Sequence, residues 1–218
     1  MLNWAHMPET REIRTVLKRL KNAFPNPGML EGGKPEDILL KVTLSARTRD
    51  EQVLAVYPRM RKAFPRLKDL AEADVKRLAK TLDTIGLYRN KARFMKGIAT
   101  ALIEKHGGKV PNDRESLEAL PGVGRKTANC VLCYAFGVPA IAVDTHVHRI
   151  ANRLGWVKTK DVWPTEKKLN AIIPKDLALD VNRVFVQFGR TICIPRTPRC
   201  WKCPVAKWCA YPHKTPKS

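Results

Sequence analysis

Four cysteines near the end of the chain, spaced Cys193-x6-Cys200-x2-Cys203-x5-Cys209, place four thiols within 17 residues. Thiolates this close suit one tetrahedral zinc or one cubane iron–sulfur cluster. Zinc ribbons usually offer two CxxC knuckles separated by a longer loop. Here a single CxxC has lone cysteines at unequal distances on either side, a spacing that wraps a larger group. Cys203-Pro204 also has the Cys-Pro form that ends ferredoxin runs. A [4Fe–4S] cluster is therefore expected, with zinc as the alternative. Cys130 and Cys133 form a second CxxC pair, but they lie in an apolar helical stretch and read as core residues.

A second group of residues is suited to phosphate and to amine chemistry. In Leu120-Pro121-Gly122-Val123-Gly124-Arg125-Lys126 a Pro-Gly-x-Gly turn joins a short helical pattern to a longer one. The glycines let the backbone come close to a phosphate. The new helix adds unpaired N–H groups and the positive end of its dipole. Such a turn grips nucleic acid without reading its sequence. Lys126 falls in the first turn of that helix. A free lysine amine is neutral in only about one molecule in 2,500 at pH 7. The helix start and the neighbouring Arg125 both disfavour the charged form, which favours a nucleophile there. Farther on, Val143-Asp144-Thr145-His146-Val147-His148-Arg149 supplies a carboxylate at a helix start. Asp144 can cap the helix, and it can also take a proton or steady a developing cation. By themselves His146 and His148 read as surface or core residues.

These groups need a scaffold, and the composition indicates what kind. The chain has 218 residues, 44% of them apolar and 28% charged, enough to bury one large core or two small ones. Lys and Arg outnumber Asp and Glu by 41 to 20, a net charge of +21. That excess calls for a polyanionic partner, and nucleic acid is the first candidate. No acidic residue follows Asp180, whereas Arg183, Arg190, Arg196, Arg199, Lys202, Lys207, Lys214 and Lys217 do. This basic run encloses the four cysteines, so a folded basic module is expected there. The longest apolar run, Cys130 to Val143, is broken by Gly137 and Pro139 and is too short to span a membrane. Residues 1–20 lack the apolar core of a secretory signal, so an intracellular protein of the cytoplasm or nucleoid is expected.

Most of the sequence has helical periodicity. Ile13, Val16, Leu17 and Leu20 make a stripe over Thr10–Phe24, which Pro25-Asn-Pro-Gly should stop. Pro35 should begin a second helix, and Asp50 should cap a third reaching Ala63. Further patterns cover Ala73–Thr84, Asn90–His106, Arg114–Ala119, Lys126–Phe136, Thr145–Leu154, Thr165–Ile172 and Leu177–Gly189. Strand-like alternation is scarce, so an all-α fold is expected.

Taken together, LPGVGRKTAN, AVDTHVHR and the four-cysteine run resemble the endonuclease III family of iron–sulfur helix-hairpin-helix DNA glycosylases and AP lyases. Leu44-Ser45-Ala46-Arg47-Thr48-Arg49-Asp50 and Ile85-Gly86-Leu87-Tyr88 resemble two further segments of that family. The resemblance implies a six-helix barrel over 28–138. It also implies a cluster domain built from 1–27 and 139–218. Lys126 matches the family's catalytic lysine and Asp144 its catalytic aspartate, while Leu87 matches a residue that wedges into the base stack. Arg47 stands where many members carry Gln, facing the orphaned base. The DNA contacts implied are Arg47, Leu87, Pro121, Gly122, Val123, Gly124, Arg125 and His146, with Arg196 and Arg199 in the cysteine loop. The expected partner is double-stranded DNA with damaged bases or abasic sites, bound by a monomer away from any membrane.

The activity implied is excision of oxidised pyrimidines of the thymine-glycol type, followed by β-elimination through a lysine Schiff base. One rival is a mismatch glycosylase for thymine or adenine. Those enzymes usually carry Tyr or Ser where Lys126 stands. A second rival is a non-catalytic DNA-binding module with a structural metal, which would not require Lys126 and Asp144 together.

Overall fold

The computed structural model describes residues 8–25, 30 and 32–216, and every regular element among them is helical. The helices are α1 (Thr10–Ala23), α2 (Pro35–Leu44), α3 (Asp50–Ala63), α4 (Leu67–Ala71), α5 (Val75–Thr81), α6 (Tyr88–His106), α7 (Arg114–Glu118), α8 (Arg125–Phe136), α9 (Thr145–Leu154), α10 (Val162–Ile172) and α11 (Ala178–Thr191). The cysteine segment carries two 3-10 turns, Cys200–Lys202 and Ala206–Trp208. The chain divides into two compact units, Met1–Pro27 with Pro139–Ser218, and Gly28–Val138. Asn26 to Gly28 of the first helical stop, and Lys217 of the basic run, lie outside the described residues.

In the unit that holds both chain ends, α1 buries Ile13, Val16, Leu17 and Leu20, the stripe read from the sequence. It packs against α11, which also packs against α9. The shared core includes Ile150, Leu154, Val181, Phe185 and Phe188. Burial of five such side chains stabilises the unit by roughly 10 kcal/mol before chain entropy is subtracted. The α9–α11 crossing is close. A Cβ on Gly189 would stand 2.7 Å from His146 Nδ1 and 2.9 Å from Arg149 Nη2, so a larger residue would force the His146 ring aside.

In the other unit α6 is the central element, packed against α2, α4 and α5, while α2 and α7 pack on α8. Its inner stripe is Lys91, Met95, Ile98 and Leu102, a lysine followed by three apolar side chains at helical spacing. Cys130 and Cys133 are buried in α8, the core placement expected for them.

Several boundaries differ from those the periodicity suggests. α4, at five residues, completes barely more than one turn and so shows no repeated apolar stripe. Its start is set locally, by the Arg66 N–H donating to Asp69 Oδ2 at 2.8 Å. Asp50 is the first residue of α3 and not its cap; Arg49 holds the cap position, its N–H directed to Gln52 Oε1. α5 begins after Asp74, whose carboxylate accepts from the Arg77 N–H at 2.8 Å. α6 begins two residues before Asn90 and α10 three before Thr165. The extra residues extend patterns whose apolar stripe starts later.

Candidate functional site

The unit Gly28–Val138 carries the hairpin, Lys126, Arg47 and Leu87. Gly122 has φ 75°, and a Cβ there would lie 2.5 Å from the Phe94 ring of α6. The hairpin thus rests directly on that ring. One turn along, a Cβ on Gly97 would stand 3.0 Å from the Pro121 ring, so α6 presents a small residue where the proline seats. Val123 is buried and anchors the turn, while Pro121, Gly122 and Gly124 face solvent. Gly124 is the N-cap of α8, Arg125 its first residue and Lys126 its second, both half-buried. This geometry offers backbone N–H groups, an arginine and an amine on one short arc.

Leu87 is 54% exposed, which makes it a surface residue and not part of the core. It is the N-cap of α6 at φ 59°, and Arg47, also exposed, has φ 54°. Among the described residues these are the two non-glycine positions in the left-handed region. That conformation is unfavourable for a residue with a Cβ by about 1–2 kcal/mol.

The other unit carries Asp144 and the cysteines. Asp144 is half-buried and caps α9: its Oδ1 accepts from the N–H groups of His146 at 2.9 Å and Val147 at 2.8 Å. The carboxylate is thereby fixed in orientation, with Oδ2 outside the cap. The His146 ring is committed to the helix crossing, its Nδ1 3.1 Å from Arg149 Nη2. A guanidinium can only donate, so this nitrogen accepts. Burial pushes the His146 pKa down; Arg149 and Arg190 add to that, and Asp144 opposes it.

Cys193, Cys200, Cys203 and Cys209 line one pocket, together with Ile150, Leu154, Phe188 and Val205. Among the described residues no three His, Cys, Asp or Glu side chains are close enough to share a single ion. Burial pushes the Cys203 thiol up to about 11 and raises that of Cys209. Two arginines of α9 fasten the start of this loop. Arg149 donates through Nε and Nη2 to the Cys193 carbonyl at 3.1 and 2.9 Å. Arg153 donates to the carbonyls of Ile194 at 2.8 Å and Pro195 at 2.6 Å, and its Nη1 is 3.3 Å from Cys193 Sγ. Arg196 and Arg199 are exposed on the same loop, where no acidic side chain follows to offset them.

Residues 40–175 match the HhH-GPD superfamily of base excision DNA repair proteins. Endonuclease III of Thermotoga maritima is 44% identical over 177 residues, 81% of this chain and 83% of the relative. The chain belongs to the endonuclease III family. Endonuclease III of Escherichia coli is 39% identical over 200 residues, 91% of this chain and 95% of its own. The solved structure of a trapped Endonuclease III–DNA covalent intermediate matches with a TM-score of 0.85 at 40% identity, covering 93% of this chain and 96% of that one. Membership makes this chain a DNA glycosylase of base excision repair, with the all-α endonuclease III fold expected from its sequence. No helix among the described residues is long and apolar enough to cross a membrane.

One residue escaped the sequence reading. Lys91 lies on the buried stripe of α6 and is only 3% exposed. Its signal was its register with Met95, Ile98 and Leu102, which a lysine in a charged helical segment easily hides.

Proposed function

We propose that this endonuclease III family member is a bifunctional glycosylase and AP lyase acting, as an intracellular monomer, on oxidised pyrimidines of the thymine-glycol type in duplex DNA. The observation that carries this reading is the position of Lys126: second residue of α8, half-buried, just beyond a hairpin seated on α6. A purely hydrolytic glycosylase needs a carboxylate but no amine at this point.

The proposed sequence of events begins with extrusion of the damaged nucleotide, which costs least for a base already poorly stacked. The hairpin N–H groups, Arg125, Arg196 and Arg199 hold phosphates, while Leu87 and Arg47 fill the space the nucleotide leaves. The Lys126 amine attacks C1′, the glycosidic bond breaks, and the base departs with a proton. Asp144, locked by its cap bonds, steadies the positive charge that develops on the sugar. The ring opens to a protonated Schiff base, which acidifies the C2′ proton. Loss of that proton expels the 3′ phosphate, and water then releases the lysine. His146 contributes by setting α9 against α11.

A borohydride-trapping panel tests the assignment. Covalent adducts should form with thymine-glycol and abasic duplexes. Trapping confined to T·G or A·G mismatches would favour the mismatch reading, and binding with no trapping on any duplex would favour a non-catalytic module.

The four thiols, which line one pocket at the unequal spacing read from the sequence, fit a [4Fe–4S] cluster that Cys193, Cys200, Cys203 and Cys209 would hold. Such a cluster, when bound, would cross-link the loop and so hold Arg196 and Arg199 in place; the excision steps derived above use only the protein's own side chains. The purified protein is expected to be yellow-brown with about four irons per chain. Colourless, active protein holding one zinc would overturn this assignment.

A further inference from the structure

We propose that Lys91 is a positioning residue that joins the Arg47 turn to the Leu87 start of α6, so that the two enter DNA as one two-pronged unit. This rests on the reading that Arg47 and Leu87 enter the base stack. Lys91 sits one helical turn after Leu87, and its side chain reaches the residue after Arg47. Its backbone N–H makes the regular helix bond to the Leu87 carbonyl at 3.0 Å, as any residue there would, and the tie specific to the lysine is Nζ donating to Thr48 Oγ1, next to Arg47. Arg47 and Leu87 are also the two non-glycine residues with positive φ among those described, so each holds an unfavourable backbone state that its surroundings must enforce.

Stability alone does not account for this lysine. At 3% exposed it is a rare buried ammonium whose hydrogen-bond partner among the described residues is one neutral hydroxyl. Burial lowers its pKa to about 8, which shows that the charged form is poorly accommodated. A methionine would continue the Met95, Ile98, Leu102 stripe without that cost. What a methionine cannot do is hold Thr48. The amine therefore serves the geometry of the two turns.

The test uses full-length protein and a duplex containing a tetrahydrofuran abasic analogue, which cannot form a Schiff base, with 2-aminopurine opposite. Two readouts are the affinity ratio for this duplex over undamaged duplex, and the 2-aminopurine fluorescence change on binding. Lys91→Met and Thr48→Val should each lower the ratio about tenfold and damp the fluorescence change, the double variant no further than either single one. Affinity for undamaged duplex should stay constant, and the melting temperature of Lys91→Met should not fall. If both variants keep the wild-type ratio and fluorescence while Arg47→Ala and Leu87→Ala lose them, the proposal is overturned and Lys91 is a structural side chain. If Arg47→Ala and Leu87→Ala also change nothing, the reading of the two turns is what fails, and the proposal falls with it. Should Lys91→Met not fold, Thr48→Val decides alone.

Discussion

Lys126→Gln should lose borohydride trapping and strand cleavage by roughly three orders of magnitude or more, because the nucleophile itself is removed. Glutamine preserves polarity and a similar reach at the second position of α8, where it is also a good helix former. Affinity for duplex DNA should therefore persist, since the hairpin and the arginines are untouched. Asp144→Asn should fail in a different way. Asparagine is as good an N-cap as aspartate, so α9 keeps its start, but the negative charge is gone. Base removal should slow by about a hundredfold, with cleavage of a ready-made abasic site affected less. Single-turnover assays on thymine-glycol and abasic duplexes separate the two steps. Peptide mapping of the trapped adduct should find Lys126. If Lys126→Gln still traps at the wild-type rate, another amine is the nucleophile.

Gly122→Ala should damage the hairpin itself. The new methyl group would meet the Phe94 ring at 2.5 Å on a backbone with φ 75°, so the change adds a clash to a conformational penalty. Together these should cost about 2–3 kcal/mol, lowering the melting temperature by roughly 5–10 °C for a chain of this size. Affinity for undamaged duplex should fall as well, because the N–H groups of the turn would be displaced from the phosphate. Phe94→Ala on top of Gly122→Ala should restore part of the lost affinity by making room, leaving the φ penalty in place. Calorimetry and a binding titration measure the two effects. A Gly122→Ala protein with wild-type melting and affinity would show that the turn is not seated on α6 as described.

How much of this was legible in the residues depended on the length of the pattern that carried it. α1 shows its full stripe, and its buried set is the one the spacing gives. α9 begins at Thr145 because Asp144 caps it, a local bond between near neighbours that a sequence can announce. α4 could not be read, since five residues complete barely more than one turn. The α6 boundary was misplaced because Leu87 adopts a backbone state that only glycine or asparagine normally signals. Lys91 was hidden for the opposite reason. Its helical register was visible, but residue type argued for solvent, and only the packing around α6 overrides type. The convergence of four thiols on one pocket was implied by spacing; the arginines that fasten the loop were not, because α9 and the cysteines are some 40 residues apart in the chain.

The fastening of that loop has a mechanical consequence. α9 is a strut of ten residues, rising about 15 Å. Its first turn is tied to the Asp144 carboxylate, and its later turns, through Arg149 and Arg153, to the backbone of Cys193, Ile194 and Pro195. The strut is also held by packing, since Val147, Ile150, Ala151 and Leu154 bury its inner face, so its two ends keep a fixed separation. A change that loosens the cysteine loop would therefore act first on the exposed Arg196 and Arg199, while the packed helix keeps Asp144 at its cap.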